Sequence, residues 1–224
     1  MTASSFSDDN IRAIHDTPYR AVLAVSGGGV GAISRLLAVS GASRTVLEAV
    51  VPYCSEALKE WLGSDPEQAC SESTARAMAM AAFDRSQHLL DVEEQGNDVG
   101  EIRPLGLAVT AALATDRPRR GSHRAYAAVM IESSAAVLSV EFDKGTRSRA
   151  EEESLLSDAV VRFLADRCGV EEFDPQSCLG EDSVRFGEGD QVFIETVEAP
   201  KEWQDVMMGR RSYVRLHSPT GDAV

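Results

Sequence analysis

The stretch Val22 to Leu37, VLAVSGGGVGAISRLL, ends an apolar run in a serine, follows it with three glycines, and then shows helical periodicity. Such a turn offers three kinds of chemistry. Ser26 at a strand end acts as a nucleophile if a base reaches its hydroxyl. Gly27, Gly28 and Gly29 let a phosphate or an oxyanion approach backbone amides at the start of a helix. Alternatively, Ser26 only caps that helix, its oxygen accepting from an orphan amide. The residues alone leave all three open.

A second group of chemistry-bearing residues lies farther along. Arg117, Arg119, Arg120, His123 and Arg124 fall within eight residues of a chain whose formal charge is −14. Guanidinium groups bind phosphate and carboxylate bidentately, so the cluster suits an anionic ligand. His123 is a candidate general base. A solvated loop pairing with nearby acids is the plainer reading of the same charges. Arg35 and Arg44 stand near the glycine turn in sequence, where either could reach a phosphate.

Other motifs are weak or missing. Gly29 and Gly31 fit the first two glycines of a dinucleotide fingerprint, but Ser34 stands where the third belongs; Glu48 lies at about the distance of a ribose-binding acid. No Gly-Lys-Ser/Thr follows the glycines, so a Walker A loop is excluded. The four cysteines, Cys54, Cys70, Cys168 and Cys178, show no CxxC spacing and read as reduced thiols. His15, His88 and His217 lack metal-ligand spacing, and the acidic runs DVEEQGND and EEES read as solvated surface. Neither a metal nor a cofactor is expected.

The elements that must position these residues follow from patterning. SDDNIRAIHD reads as a short amphipathic helix, RAVLAVS as a buried strand, and GAISRLLAV as a helix with Ile33, Leu36 and Leu37 on one face. TVLEAVVPY reads as a strand and SEALKEWLG as a helix capped by Ser55 and stopped by Gly63. SESTARAMAMAAFDRSQHLL is the clearest helix, DVEEQGNDVGEIRP a loop, LGLAVTAAL a buried strand, and ATDRPRRGSHR a basic loop. AYAAVMIES and AAVLSVEFD form a hairpin turning at Ser133 and Ser134, and SRAEEESLLSDAVVRFLADRCG is a long helix. Strand and helix alternate before the hairpin, which predicts a three-layer α/β/α domain with a mixed sheet over 1–170. Residues 171–224 read as an acidic linker and a small β extension, with strands in VFIETVEAP and SYVRLHS.

Charge narrows the partners. A strongly acidic surface repels nucleic-acid phosphates and anionic membrane faces, so neither is expected as a partner. No apolar stretch is long enough to span a bilayer, and the first residues carry no secretory pattern, which predicts a cytoplasmic location.

Ser26 to Gly63 resembles the opening of the CinA C-terminal domain family, the bacterial nicotinamide mononucleotide deamidases. Without a gap, Ser26 falls on the family serine, Arg35 and Leu36 on its Arg-Leu, and Gly41-Ala42-Ser43 on its Gly-Ala-Ser. Tyr53 falls on its tyrosine and Gly63 on its closing glycine. SESTARAMAMAAF is similar to the family's Ser-Glu-x-x-Ala helix, and LGLAVTAAL to its Gly-Leu-Ala-Ile-Thr-Gly strand, with Thr110 on the threonine. The resemblance covers about Tyr19 to Val170.

The resemblance implies a small nucleotide or phosphate ligand, a homo-oligomer, and a Ser26 nucleophile. Gly27, Gly28, Gly29, Arg35, Tyr53 and Thr110 would bind the ligand, joined by Arg120 and Arg124 of the basic cluster, which the resemblance does not supply. The departures bear on the chemistry. The family's base is a lysine five residues after the tyrosine, where this chain has Leu58; Lys59 is one residue and about 100° away on a helix. The glutamate before the serine is Val25, and the family's Gly-Pro-Gly-Gly loop is replaced by TAALATDRPRRGSHR. His123 would then have to replace the lysine. In these departures the chain looks similar to a branch joined to nucleotidyltransferase domains, which implies such a domain as a partner. Two functions follow as expectations: binding and deamidation of nicotinamide mononucleotide or a related pyridine nucleotide, or a degenerate nucleotide-binding module without hydrolysis.

Overall fold

The computed structural model describes residues 6–93, 102–116, 120–174 and 186–212. In chain order these form α1 (Asp8–His15), β1 (Tyr19–Ser26), α2 (Gly31–Ala38), β2 (Val46–Val50), α3 (Ser55–Leu62), α4 (Glu72–Glu93) and β3 (Arg103–Ala112). There follow β4 (His123–Met130), β5 (Ser134–Phe142), α5 (Arg149–Arg167), β6 (Gln191–Glu198) and α6 (Lys201–Met207). The six strands make one sheet in the order β2-β1-β3-β4-β5-β6. β2 and β3 run parallel to β1; the remaining pairs are antiparallel. The mixed sheet with helices on both faces agrees with the architecture read from the alternation of elements.

Strand periodicity sorts the sheet into its two faces. Leu23 and Val25 of β1, Leu107 and Val109 of β3, and Ala125 and Ala127 of β4 pack with α1, α2 and α5, where Leu155, Leu156, Val160 and Phe163 are fully or almost fully buried. The alternate residues Ala24, Ala108, Ala128 and Val137 pack against Leu58 of α3 and Ala75, Met78 and Ala79 of α4. This second face uses small residues, so α4 lies very close to the sheet. At Gly106 a methyl group would stand 2.1 Å from the Ala79 carbonyl oxygen.

Several local expectations change. His123 and Arg124 belong to β4, not to the basic loop. The loop read at DVEEQGND begins late, because α4 continues to Glu93. Cys54, not Ser55, stands at the N-cap of α3 and makes no side-chain capping bond; Gly63 closes that helix at φ 73°. Helix α6 had no counterpart in the pattern reading. β6 pairs with β5 and so extends the same sheet. Arg117, Arg119, Cys178, His217 and most of SYVRLHS lie outside the described residues.

Burial pushes the Cys168 thiol up to about 12, opposed by a hydrogen bond with the Thr17 side chain. Among the described residues no helix is long and apolar enough to cross a membrane.

His15 ties α1 to the sheet layer and has a pH consequence. Its Nε2–H donates to the Leu36 carbonyl at 3.1 Å, which leaves Nδ1 to accept from the Thr45 hydroxyl at 3.0 Å. That pattern belongs to the neutral ring. Burial lowers its pKa from 6.5; the Leu36 bond raises it, Arg44 lowers it and Asp16 raises it. Well above pH 6.5 the ring is neutral in folded and unfolded chains alike, and pH has no leverage through it. Below that value the unfolded chain takes up a proton that the folded chain resists, so stability falls as pH falls towards the lowered value. Melting temperatures measured from pH 8 to pH 5 should therefore drop less steeply for His15→Asn than for the parent, although the variant starts lower. Equal slopes would remove His15 as the cause.

Candidate functional site

The site is built on the edge of the sheet where β1 and β3 end and β4 begins. Ser26 pairs in register with Thr110, and Thr110 with Tyr126. By strand alternation Ser26 shares the face of Ala24, Thr110 that of Ala108, and Arg124 that of Tyr126 and Ala128. All three therefore face the α3/α4 side. With β3 between them, the backbones of β1 and β4 are roughly 10 Å apart.

Ser26 is buried and its hydroxyl donates to the Pro52 carbonyl at 2.9 Å. Among the described residues no lysine or histidine nitrogen bonds to it. Leu58, at the position where the resemblance implies a lysine, is 3% exposed and packs between sheet and α4. Lys59 turns outward and pairs with Asp65 at 2.9 Å. Tyr53, next to Pro52, is 66% exposed.

The loop before α4 covers the other end of the row. Thr110 donates its hydroxyl to the Ala69 carbonyl at 2.6 Å. Arg124 Nη2 donates to the Cys70 carbonyl at 3.2 Å and to Gln68 Oε1 at 3.4 Å. Arg124 Nε is buried and, among the described residues, has no partner. A guanidinium N–H held out of water without an acceptor is costly.

His123 departs from its expected role. It shares the strand parity of Ala125 and Ala127 and so faces α5, across the sheet from Ser26. Its Nδ1–H donates to Glu152 Oε1 at 2.7 Å, while Glu152 Oε2, on a fully buried side chain, accepts from the Ala114 amide at 2.6 Å. His123 is thus no substitute for the missing lysine. Arg120 is exposed on the approach to β4.

The glycine turn also departs from expectation. Gly27 and Gly29 have φ of 78° and 88°, which only glycine adopts freely. A methyl group on Gly27 would stand 2.0 Å from the Ala111 carbonyl oxygen, and one on Gly28 2.6 Å from Leu113 Cδ1. Their smallness lets the turn lie on the end of β3, with no ligand required. The helix-start amides are already engaged: Gly29 N–H donates to Glu153 Oε2 at 2.7 Å and Gly31 N–H to Glu153 Oε1 at 3.1 Å. A carboxylate from α5 thus supplies the anion that the start of α2 favours. It also takes the capping role offered to Ser26, since Val30 is the N-cap and makes no side-chain bond.

Arg35 is likewise drawn away from the row. On α2 it pairs with Asp158 of α5 at 2.7 Å and lies over the Phe6 ring at 5.8 Å. Glu48, the acid of the dinucleotide reading, sits within β2 and accepts from Arg85 of α4 at 2.8 Å. Of the run EEES, read as solvated, Glu151 and Ser154 are exposed, but Glu152 and Glu153 turn inward and hold the two loops at this edge of the sheet. Arg149 completes that clamp, donating to the Gly27 carbonyl at 2.9 Å and to the Ala114 carbonyl at 3.2 Å. The capping box at Ser148 signals where α5 starts, but nothing local says that adjacent glutamates turn inward.

No family model and no curated protein matches the chain. Solved structures do. The competence/damage inducible protein CihA from Agrobacterium tumefaciens is 21% identical, with a TM-score of 0.50 over 73% of this chain and 96% of that one. The CinA superfamily protein from Escherichia coli is 19% identical, with a TM-score of 0.52 over 76% and 93%. The one from Enterobacter cloacae is 17% identical, with a TM-score of 0.54 over 76% and 99%. These matches span nearly the whole of each relative and leave part of this chain outside. The likeness is one of fold: the chain has the architecture of the competence-damaged protein (CinA) superfamily.

Proposed function

We propose that the chain is a CinA-like module that binds nicotinamide mononucleotide or a close pyridine nucleotide without hydrolysing it through Ser26. The observation that carries this reading is the surroundings of Ser26. A serine hydroxyl becomes a useful nucleophile only when a base takes its proton. Here the hydroxyl donates to a backbone carbonyl, and the family's lysine position is a buried leucine. The neighbouring lysine is paired outward, and the candidate histidine lies across the sheet. Binding is supported by Arg124, whose buried Nε has no acceptor among the described residues and whose charge suits a phosphate. On this reading the phosphate meets Arg124 rather than the glycine turn, where Glu153 already stands.

The test combines ammonia release with thermal stabilisation by nicotinamide mononucleotide. No release above background is expected from the parent or from Ser26→Ala. Both should be stabilised by the ligand. Arg124→Gln should weaken binding by about 10- to 100-fold, the loss of a charge-assisted contact. Ammonia release abolished by Ser26→Ala would replace the module with an amidohydrolase. Absence of stabilisation in the parent would remove the ligand.

A further inference from the structure

A shallow groove of about 350 Å³ lies between the end of β2 and α3, lined by Val50, Val51, Pro52, Ala57, Glu60 and Trp61. We infer that it takes a flat aromatic cation, with Trp61 as its aromatic wall and Glu60 as its counter-charge. The inference rests on the module reading and deepens it, since an N-alkylated pyridinium is the aromatic cation of the proposed ligand.

Charge and shape both point that way. Apart from Glu60, the lining is apolar or aromatic. Trp61, a lining residue of the groove, donates its Nε1–H to the Met78 carbonyl at 3.4 Å, which anchors the indole against α4. Glu60 has no ion pair among the described residues; Lys59, the one cation of α3, is engaged by Asp65. Glu60 also sits in the last turn of α3, where the helix dipole is negative, and one turn after Glu56. Each of these repels an anion and favours a cation. A tryptophan and a carboxylate without an ion pair among the described residues, lining one groove, suit a cation.

The groove is also placed to serve the site already described. Pro52 lines it and accepts the Ser26 hydrogen bond. Ser26 therefore lies between the groove and Arg124, and a ligand with a cationic ring at one end and a phosphate at the other matches the sequence of charges.

The chain has two tryptophans, so a Trp203→Phe background leaves Trp61 as the fluorescent reporter. In that background the N-methylnicotinamide cation should quench emission saturably and bind roughly two- to fivefold more tightly than neutral nicotinamide. Glu60→Gln should abolish the preference for the cation, and high salt should weaken it. Linear quenching equal to that of free N-acetyltryptophanamide would overturn the inference. So would equal binding of the neutral ring, or a preference that survives Glu60→Gln. Because N-methylnicotinamide carries no phosphate, Arg124→Gln should leave its quenching unchanged. Saturable quenching with no stabilisation by the mononucleotide would remove the proposed function and leave the groove. Mononucleotide stabilisation unchanged in Trp61→Leu would do the reverse.

Discussion

Gly106→Ala is expected to lower the melting temperature by about 6–12 °C, from a loss of about 3 kcal/mol. β3 passes beneath α4 at this residue. The new methyl group would stand 2.1 Å from the Ala79 carbonyl oxygen and 2.4 Å from the Phe83 amide nitrogen. Both are helix backbone, so no side-chain rotation relieves the overlap. α4 must move outward as a unit, and the fully buried Ala75, Met78, Ala82 and Phe83 lose contact with the sheet. The loop that covers Thr110 and Arg124 leads directly into α4, so the same displacement should also weaken the Arg124 contacts. Circular-dichroism melting checks the prediction. A variant melting within about 2 °C of the parent, less than the shift expected from 1 kcal/mol, would show that the close approach of α4 is not needed.

Glu152→Gln is expected to cost about 2 kcal/mol, although it changes neither size nor shape. The Glu152 carboxylate, fully buried, accepts from two donors, His123 Nδ1–H and the Ala114 amide. A glutamine offers one accepting oxygen and one donating nitrogen, so it keeps both contacts only if His123 moves its proton to Nε2 and accepts at Nδ1, and both bonds lose their carboxylate acceptor. The effect should be local as well as global. Hydrogen exchange should accelerate at Ala114 and at the start of β4 before it does so in α4. Because His123 and Glu152 lie across the sheet from Ser26, ligand response on the α3/α4 face should be retained by the folded variant. Loss of that response at a temperature where the variant is folded would place the pair in the ligand site after all. Exchange unchanged at Ala114 would show that the buried pair does not hold the loop.

The strand–glycine–helix turn, the hairpin, α4 and α5 were all legible in the chain, because each rests on local periodicity and capping. Helix α6 was not. It follows Pro200 over seven residues, none of them buried, so it carries little periodic signal. The conversion of the basic loop's end into β4 was missed for a related reason. His123 and Arg124 look like loop residues until the Glu152 carboxylate and the Gln68–Cys70 loop provide partners for them.

The candidate site divides along the same line. Residue types and spacing were enough to single out Ser26 and Arg124, because a motif is a pattern along the chain; Leu58 and Thr110 stood out only through the resemblance to the CinA family. Residue types and spacing were also enough to exclude a Walker loop and to expect a mixed sheet. Which residues meet could not be read there. Strand alternation sends neighbours to opposite faces, so Arg124 joins Ser26 and Thr110 while His123 turns to α5. The amides of the glycine turn are occupied by Glu153, more than 120 residues away in sequence. Partners at that separation are brought together by the packing of α5 on the sheet. It is this packing that turns a phosphate-like turn into an internally capped helix start.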